Sequence, residues 1–424
     1  MSDWPLSSLK GKIHINHGFP FKSEFFTGEE TDYIVLTPGN FHEKGGFKRQ
    51  AGKEKFYTGE VPSDYLLASG DLIVAMTEQA AGLLGSCARI PESGIYLHNQ
   101  RLGLITTDPK EILKDYVYHL FKTKTVRDQI RLTSSGSKVK HTSPERIYDV
   151  KIPLPNVTVQ KKIVDVLDAL ENKLELNNRI NFLLESMSKT LYDYWFVQFD
   201  FPDPSGKPYK TSGGKMVYNP ILKREIPEGW SDGTLEDLGQ IVGGSTPSTQ
   251  NPENFTSNGT PWITPNDLSN NQGNKFISRG DQDLSAQGVR NAALKKHPAG
   301  TVLLTSRAPI GYMAIARNEV TTNQGFKSFV PSKGYSTEFV YYSVKNSIKA
   351  IIQYASGSTF KEISAGTLKT VKIVLPKQTI VEAYTNCVQS MFFRQDLVQQ
   401  ENEQLTELRD LLLPMLTNGQ VTLR

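Results

Sequence analysis

Two long stretches of the chain carry the same helical stripe. After Pro155, residues Ile163, Leu167, Leu170, Leu174, Asn177, Asn181, Leu184, Ser188, Leu191 and Trp195 recur at alternating spacings of four and three, as along a coiled-coil seam. After Pro376, residues Tyr384, Val388, Met391, Gln395, Val398, Asn402, Leu405, Arg409, Leu412 and Leu416 repeat those spacings 384 − 163 = 221 residues later. Neither stretch is broken by glycine or proline until its end, so each predicts one long helix. A single amphipathic helix would lie on its own domain. Roughly 36 residues extend about 55 Å, however, which is longer than a small domain is wide. Each helix is therefore expected to project, with the other as its antiparallel partner. Asn181 and Asn402 take equivalent places, where a buried Asn fixes register or the stripe has a solvated gap.

The segments before the helices alternate short apolar runs with turn residues, and these also match. Thr37, Pro38, Gly39, Asn40 and Phe41 follow the run Tyr33 to Leu36, and Thr264, Pro265, Asn266, Asp267 and Leu268 follow Trp262 and Ile263. Gly70 leads into Leu72, Ile73 and Val74 as Gly300 leads into Val302, Leu303 and Leu304, which predicts buried strands entered through glycine. Asn99 and Gln100 match Asn323 and Gln324, and Ser135, Gly136 and Ser137 match Ser356, Gly357 and Ser358. From there the offset is constant at 357 − 136 = 221, whereas upstream it is 264 − 37 = 227 and then 300 − 70 = 230. Insertions thus fall within the globular parts and not in the stems. The fold class is mixed α/β (α+β): two similar globular domains separated by an antiparallel coiled coil of two long helices, an internal pseudo-twofold repeat.

Composition changes this picture little. A chain of 424 residues exceeds one core, and 38% hydrophobic with 22% charged residues describes an ordinary water-soluble chain. The apolar runs are too short to span a membrane, and Met1 to Lys10 carries no secretory pattern, so a cytoplasmic location is expected. Cys87 and Cys387 stand apart from any metal or redox spacing and are expected to be packing residues. A net charge of +4 permits a nucleic-acid partner without requiring one.

The connector after the first helix is more specific. It runs from Tyr194, Trp195 and Phe196 through Phe201, Pro202 and Asp203 to Gly206, Lys207, Pro208 and Tyr209, then through Gly213, Gly214, Lys215 and Met216 to Ile226, Pro227, Glu228, Gly229 and Trp230. With the ending Leu412, Leu413, Pro414, Leu416 and Gly419, the whole chain resembles the DNA-specificity subunits of type I restriction-modification systems. The resemblance implies a non-catalytic subunit with no cofactor. Its two target recognition domains would each read half of a split, asymmetric site in double-stranded DNA. Its helices would act as a spacer and dock two methyltransferase subunits, to which restriction subunits are added. Applied here, the domains are 1–155 and 229–376, the helices 156–198 and 377–416, the linker 199–228 and the tail 417–424.

DNA affinity comes mainly from Lys and Arg on phosphates, and specificity from a few side chains at base edges. Lys44, Lys48, Arg49, Lys53 and Lys55 lie among Gly45, Gly46, Phe47, Phe56 and Tyr57, the best basic and aromatic cluster in the chain. In the second domain Lys275, Arg279 and Arg290 occupy the corresponding interval. A second candidate is the turn after each glycine-led strand, Thr77, Glu78 and Gln79 in one half and Ser306, Arg307 and Ala308 in the other, since Gln pairs with adenine and Arg with guanine. Lys138, Lys140 and His141, with Lys361 opposite, follow the Ser-Gly-Ser turns and are phosphate candidates. For each cluster the alternative is a solvated polar turn. Gln100 and Gln324 are expected to satisfy backbone groups, and His14 and His17 to be exposed.

No P-loop, cofactor-binding glycine pattern or Asn-Pro-Pro-aromatic tetrad occurs, and Asn251, Pro252 and Glu253 match the last only superficially. A divergent methyltransferase or nuclease, or a purely structural assembly protein, remains as the alternative reading.

Overall fold

A computed structural model describes residues 4–78, 82–354 and 362–421, which form two compact units. One comprises residues up to 174 together with those from 404 onward, and the other residues 175–403.

In the first unit a four-stranded antiparallel sheet runs in the order Ile13–His17, Leu102–Thr107, Leu72–Ala75, Cys87–Arg89. Side chains alternate across a strand, and here that period distributes the apolar residues between two cores. Leu72 and Val74 face a core completed by Tyr116, Val117 and Ile130, while Ile73 and Ala75 face another with Ile34, Phe41 and Tyr96. Both faces are covered, which is why the strand is apolar throughout. Burying each such side chain contributes about 1.5–3 kcal/mol. At the sheet edge only Ile13 and Ile15 are buried, and His14 and His17 are exposed as the sequence predicts. A second sheet has the order Phe26–Thr27, Phe56–Tyr57, Tyr33–Val35, Tyr96–Leu97, its last pair parallel. Leu6–Ser8 pairs with Lys151–Pro153, so the chain enters beside its exit.

The second unit repeats this plan. Its main sheet is ordered Gly239–Gly243, Lys327–Pro331, Val302–Leu304, Met313–Ala316, Phe276–Ile277, and its smaller sheet Phe255–Thr256, Gln282–Leu284, Thr260–Ile263, Thr321–Thr322, again with the last pair parallel. Gly70 and Gly300 hold φ of +80° and +83°, the left-handed turn that each following buried strand requires. Thr37 and Asn40 form a capping box matched by Thr264 and Asp267, each carboxamide or carboxylate accepting the threonine's backbone N–H at 2.9 and 2.7 Å. The offset of 221 holds at three successive element starts: Pro144 and Ala365, Lys151 and Lys372, Val157 and Gln378. Within the connector, Met216–Asn219 pairs with Arg224–Pro227, and Phe201 stacks between Tyr209 and Trp230 at 4.6 and 5.0 Å.

The long helices are Val157–Tyr192 and Gln378–Thr417. Every residue of both predicted stripes is buried or half-buried. In the first unit Ile163, Val164 and Leu167, near the start of one helix, share a core with Leu416 at the end of the other. In the second unit Asn177 donates to Asn402 Oδ1 at 3.0 Å, Gln395 to the Asn181 carbonyl at 3.1 Å, and Tyr384 to the Ser188 carbonyl at 3.3 Å. Rising numbers meet falling ones, so the pairing is antiparallel. Asn402 is no solvated gap, since it also donates to Asn178 at 2.9 Å.

Three residues differ from their expected roles. Gln100 and Gln324 are exposed; it is Asn99 and Asn323 that accept backbone N–H groups, from Arg101 at 3.1 Å and Gly325 at 2.8 Å. Asn does this because its shorter side chain reaches the amide two residues on. Cys387 is exposed on the second helix instead of packed, whereas Cys87 is buried.

Candidate nucleic-acid interface

The basic loop of the first domain is held from beneath. Asn40, itself buried, donates through Nδ2 to the Lys48 carbonyl at 3.3 Å, and the Lys48 N–H returns to the Asn40 carbonyl at 2.8 Å. The polypeptide is thereby fixed while Lys48, Arg49, Lys53 and Lys55 stay exposed. Lys48 and Lys53 have no ion pair among the described residues. Arg49 lies 3.7 Å from Glu54, and Lys55 lies 5.8 Å from the Phe26 ring centroid. Lys44 is turned differently, 3.2 Å from Asp410 on the second long helix.

The second candidate becomes a two-stranded ribbon. Thr77–Glu78 pairs antiparallel with Lys140–His141, which puts Thr77 with His141 on one face and half-buried Lys140 with Glu78 on the other, and Lys138 is exposed in the adjoining turn. Gln79 lies outside the described residues. The ribbon is anchored by Glu78, a member of the predicted turn, and by Arg127 and Arg131, which the sequence did not single out. Glu78 is buried and accepts the N–H groups of Gly82, Leu83 and Leu84 at 3.0, 2.9 and 2.8 Å, with Arg131 at 3.1 Å. Burial works against its ionisation, but the Leu84 N–H and Arg131 bring its carboxyl below the ordinary value. Arg127 donates to the carbonyls of Glu43, Gly82 and Leu84, so the basic loop and the segment after the ribbon share one tether. Arg127 and Arg131 are four residues apart on the helix Lys124–Leu132, a spacing that places both on one face and could have drawn attention to them.

The second domain presents the same ribbon position as a single bridge between Arg307 and Glu362. The offsets agree: Arg307 is Thr77 plus 230, and Glu362 is His141 plus 221. The Arg307 Nε lies 3.2 Å from Glu362, and both side chains are about half exposed. Lys327 is close enough to feel both charges, and burial holds its ammonium below the ordinary value. Arg279 is exposed and pairs with Asp283 at 2.6 Å, and Arg290 is exposed on the helix Ala286–Asn291. Lys361 lies outside the described residues.

Two candidates are withdrawn. Lys275 is 4% exposed, with Nζ 2.6 Å from Glu185 and 2.7 Å from Gln395 on the long helices, and 3.6 Å from the Phe392 ring centroid. Its ammonium joins domain to helix and cannot reach a phosphate. Burial pushes it down to about 8, against the pull of Glu185. Although burial opposes it, the Glu185 carboxyl is drawn down to about 2 by Lys275 and Lys345. Ser306 is fully buried and donates to the Gly325 carbonyl at 3.1 Å. Its hydroxyl ties the segment after the strand Val302–Leu304 to the turn before Lys327–Pro331 instead of facing a base.

A different set of groups meets the geometry of a metal site, His119 with Asp168 and Glu171. The chain's own cations already occupy it. Arg89 sits 2.9 Å from Asp168, Lys122 pairs with Glu171, and His119 lies 2.7 Å from Asp168. The cluster clamps the first domain onto the start of its long helix.

That the domain is built twice is also what comparison with known proteins finds. The family described as type I restriction modification DNA specificity domain matches residues 1–186 and again 227–406. The chain belongs to this family. It is a DNA-recognition subunit of the type I restriction-modification kind, and such subunits are not themselves catalytic. The MjaIX specificity subunit of Methanocaldococcus jannaschii is 38% identical over 198 residues, which span 46% of this chain and 44% of that one, less than half its length. The HindI specificity subunit of Haemophilus influenzae is 26% identical over 77% of this chain and 81% of its own. In fold, the chain is similar to the type I restriction-modification S subunit from M. genitalium, with a TM-score of 0.62 over 98% of this chain and 96% of that one at 14% identity. Among the described residues no helix is long and apolar enough to cross a membrane.

Proposed function

We propose that this specificity subunit reads a bipartite, asymmetric site in double-stranded DNA, one half with each globular domain, from the cytoplasm. Two methyltransferase subunits dock on the long helices, and restriction subunits join through that complex. The observation that carries the reading is the shared ribbon position: the same backbone bridge supports Thr77 and His141 in one domain and Arg307 and Glu362 in the other. A scaffold built twice with exposed residues changed suits two different half-sites. A protein with one structural role would have no reason to vary them. Lys48, Arg49, Lys53 and Lys55 supply phosphate contacts in the first domain, together with Lys138 and Lys140, and Arg279 and Arg290 do so in the second. The test is to sequence modified adenines in a host with and without the chain. A split motif should appear only with it, and a motif unaffected by its removal would refute the proposal. Salt-dependent DNA binding by the assembled complex separates this reading from a purely structural one.

A further inference from the structure

We infer that Arg307 and Glu362 act together to read one G·C base pair in the half-site of the second domain, Arg307 on guanine and Glu362 on cytosine. The inference rests on the recognition reading above and assigns a base pair to it. Arg307 and Glu362 face one another across an antiparallel bridge. Their side chains therefore leave the same face of the backbone as cross-strand neighbours, about 5 Å apart at Cβ. The nearest approach of Glu362 to the guanidinium is at its Nε edge, 3.2 Å away. The Arg307 side chain is about half exposed, and neither Nη has a hydrogen bond to a described residue, so the two-pronged end can face outward. That end matches the O6 and N7 acceptors of guanine in the major groove. The second carboxylate oxygen of Glu362 can then accept from the cytosine N4 amine, which adjoins guanine O6 on the same groove edge.

The charges favour this use over a stabilising one. Both side chains are about half exposed, and exposed ion pairs of this kind contribute little to folding. In DNA the pair has a purpose that a lone arginine would lack. Arg307 alone would also bind phosphates anywhere along the duplex, whereas a carboxylate beside it repels phosphate and accepts only from a base amine. The equivalent bridge of the first domain carries Thr77 opposite His141. It has no such ion pair, so the two domains differ at the place where different half-sites require it.

The experiment uses the full chain expressed with its modification subunits and reads the methylated motif at single-base resolution. In the unchanged protein the second half-site should contain a G·C pair that Arg307→Ala renders degenerate, with at least about a tenfold loss of preference. Glu362→Gln should relax the same position and no other, and the first half-site should stay as it was. A motif unchanged by Arg307→Ala would overturn the assignment. So would relaxation of a different position by each variant, or loss of all methylation with both, which would assign the pair to folding or assembly. If modification does not depend on this chain at all, the recognition reading itself fails, an outcome distinct from an intact motif that ignores the pair.

Discussion

Lys275 shows how a residue's role depends on what folds against it. In sequence it follows Gly273 and Asn274, as an exposed basic turn would, and nothing local announces burial. Its partners Gln395 and Glu185 lie 120 and 90 positions away. Ser306 is unreadable for the same reason, since its acceptor is the carbonyl of Gly325 in the turn before Lys327–Pro331. By contrast, the exposure of Lys48, Arg49, Lys53 and Lys55 was legible from the glycines around them, because a glycine-rich turn offers no core to bury a cation. Lys275→Met should destabilise the protein by about 3 kcal/mol, since it removes one of the two cations of Glu185 and leaves it Lys345 and the Tyr342 hydroxyl. It should also leave the salt dependence of DNA binding unchanged, and a flattened slope would restore Lys275 to the interface. Glu185 gives a pH signature. Its folded carboxyl lies near 2, below the ordinary 4.5, so its contribution is complete above pH 4.5 and is lost as pH falls toward 2. Being partly exposed, it should contribute about 2 kcal/mol there. Glu185→Gln should remove that part of the acid limb in urea titrations followed from about pH 6 to about pH 2. Finally, changing Lys48, Arg49, Lys53 and Lys55 together to Gln should lower the slope of log affinity against log salt by roughly one unit for each phosphate that is no longer neutralised. An unchanged slope would give these four side chains to solvent.

At the scale of elements, the stripe at spacings of four and three was legible because period alone decides which face of a helix is buried. The polar members of the stripe were legible only as positions. Their bonds depend on the partner helix: Asn177 is 1% exposed and donates to Glu401 at 2.7 Å as well as to Asn402. The hairpin Met216–Asn219 with Arg224–Pro227 was hidden in a stretch whose glycines and prolines suggest only a linker. Asn177 lies within the long helix Val157–Tyr192. Four residues inserted after Asn177 add about 6 Å along that helix and nearly one full turn, so the stripe keeps its face. We expect the methylated motif of this variant to retain both half-site sequences while the spacer between them changes by about one or two base pairs, since DNA advances about 3.4 Å per pair. An unchanged spacer with full activity would show that helix length does not measure the DNA.

For the whole molecule, the informative contrast lies between what repeats and what does not. Sheet order, the capping boxes and the bridge after the glycine-led strand recur in both units, and the offset is constant from Pro144 and Ala365 through the stems. Length differences fall before that point, where the offset runs 264 − 37 = 227, 300 − 70 = 230 and 323 − 99 = 224 before it settles at 221. One helix, Thr337–Gln353, stands where the first domain has two, Lys114–Leu120 and Lys124–Leu132. Loops on a rigid scaffold can change without disturbing the core, so recognition is free to vary while the surfaces that assemble the complex stay fixed. The domain should therefore be exchangeable. Residues 229–376 begin and end beside the antiparallel pair Ser231–Thr234 with Lys372–Leu375, which closes the domain at its own base. Replacing them with the same segment of another family member should transplant that pair along with the loops, leaving the helix seam intact. The expected outcome is a methylated motif in which one half-site is replaced and the other is retained, with full modification activity once the partner subunits are present. Simultaneous change of both half-sites would mean that the domains read DNA jointly and that the repeat does not divide recognition between them.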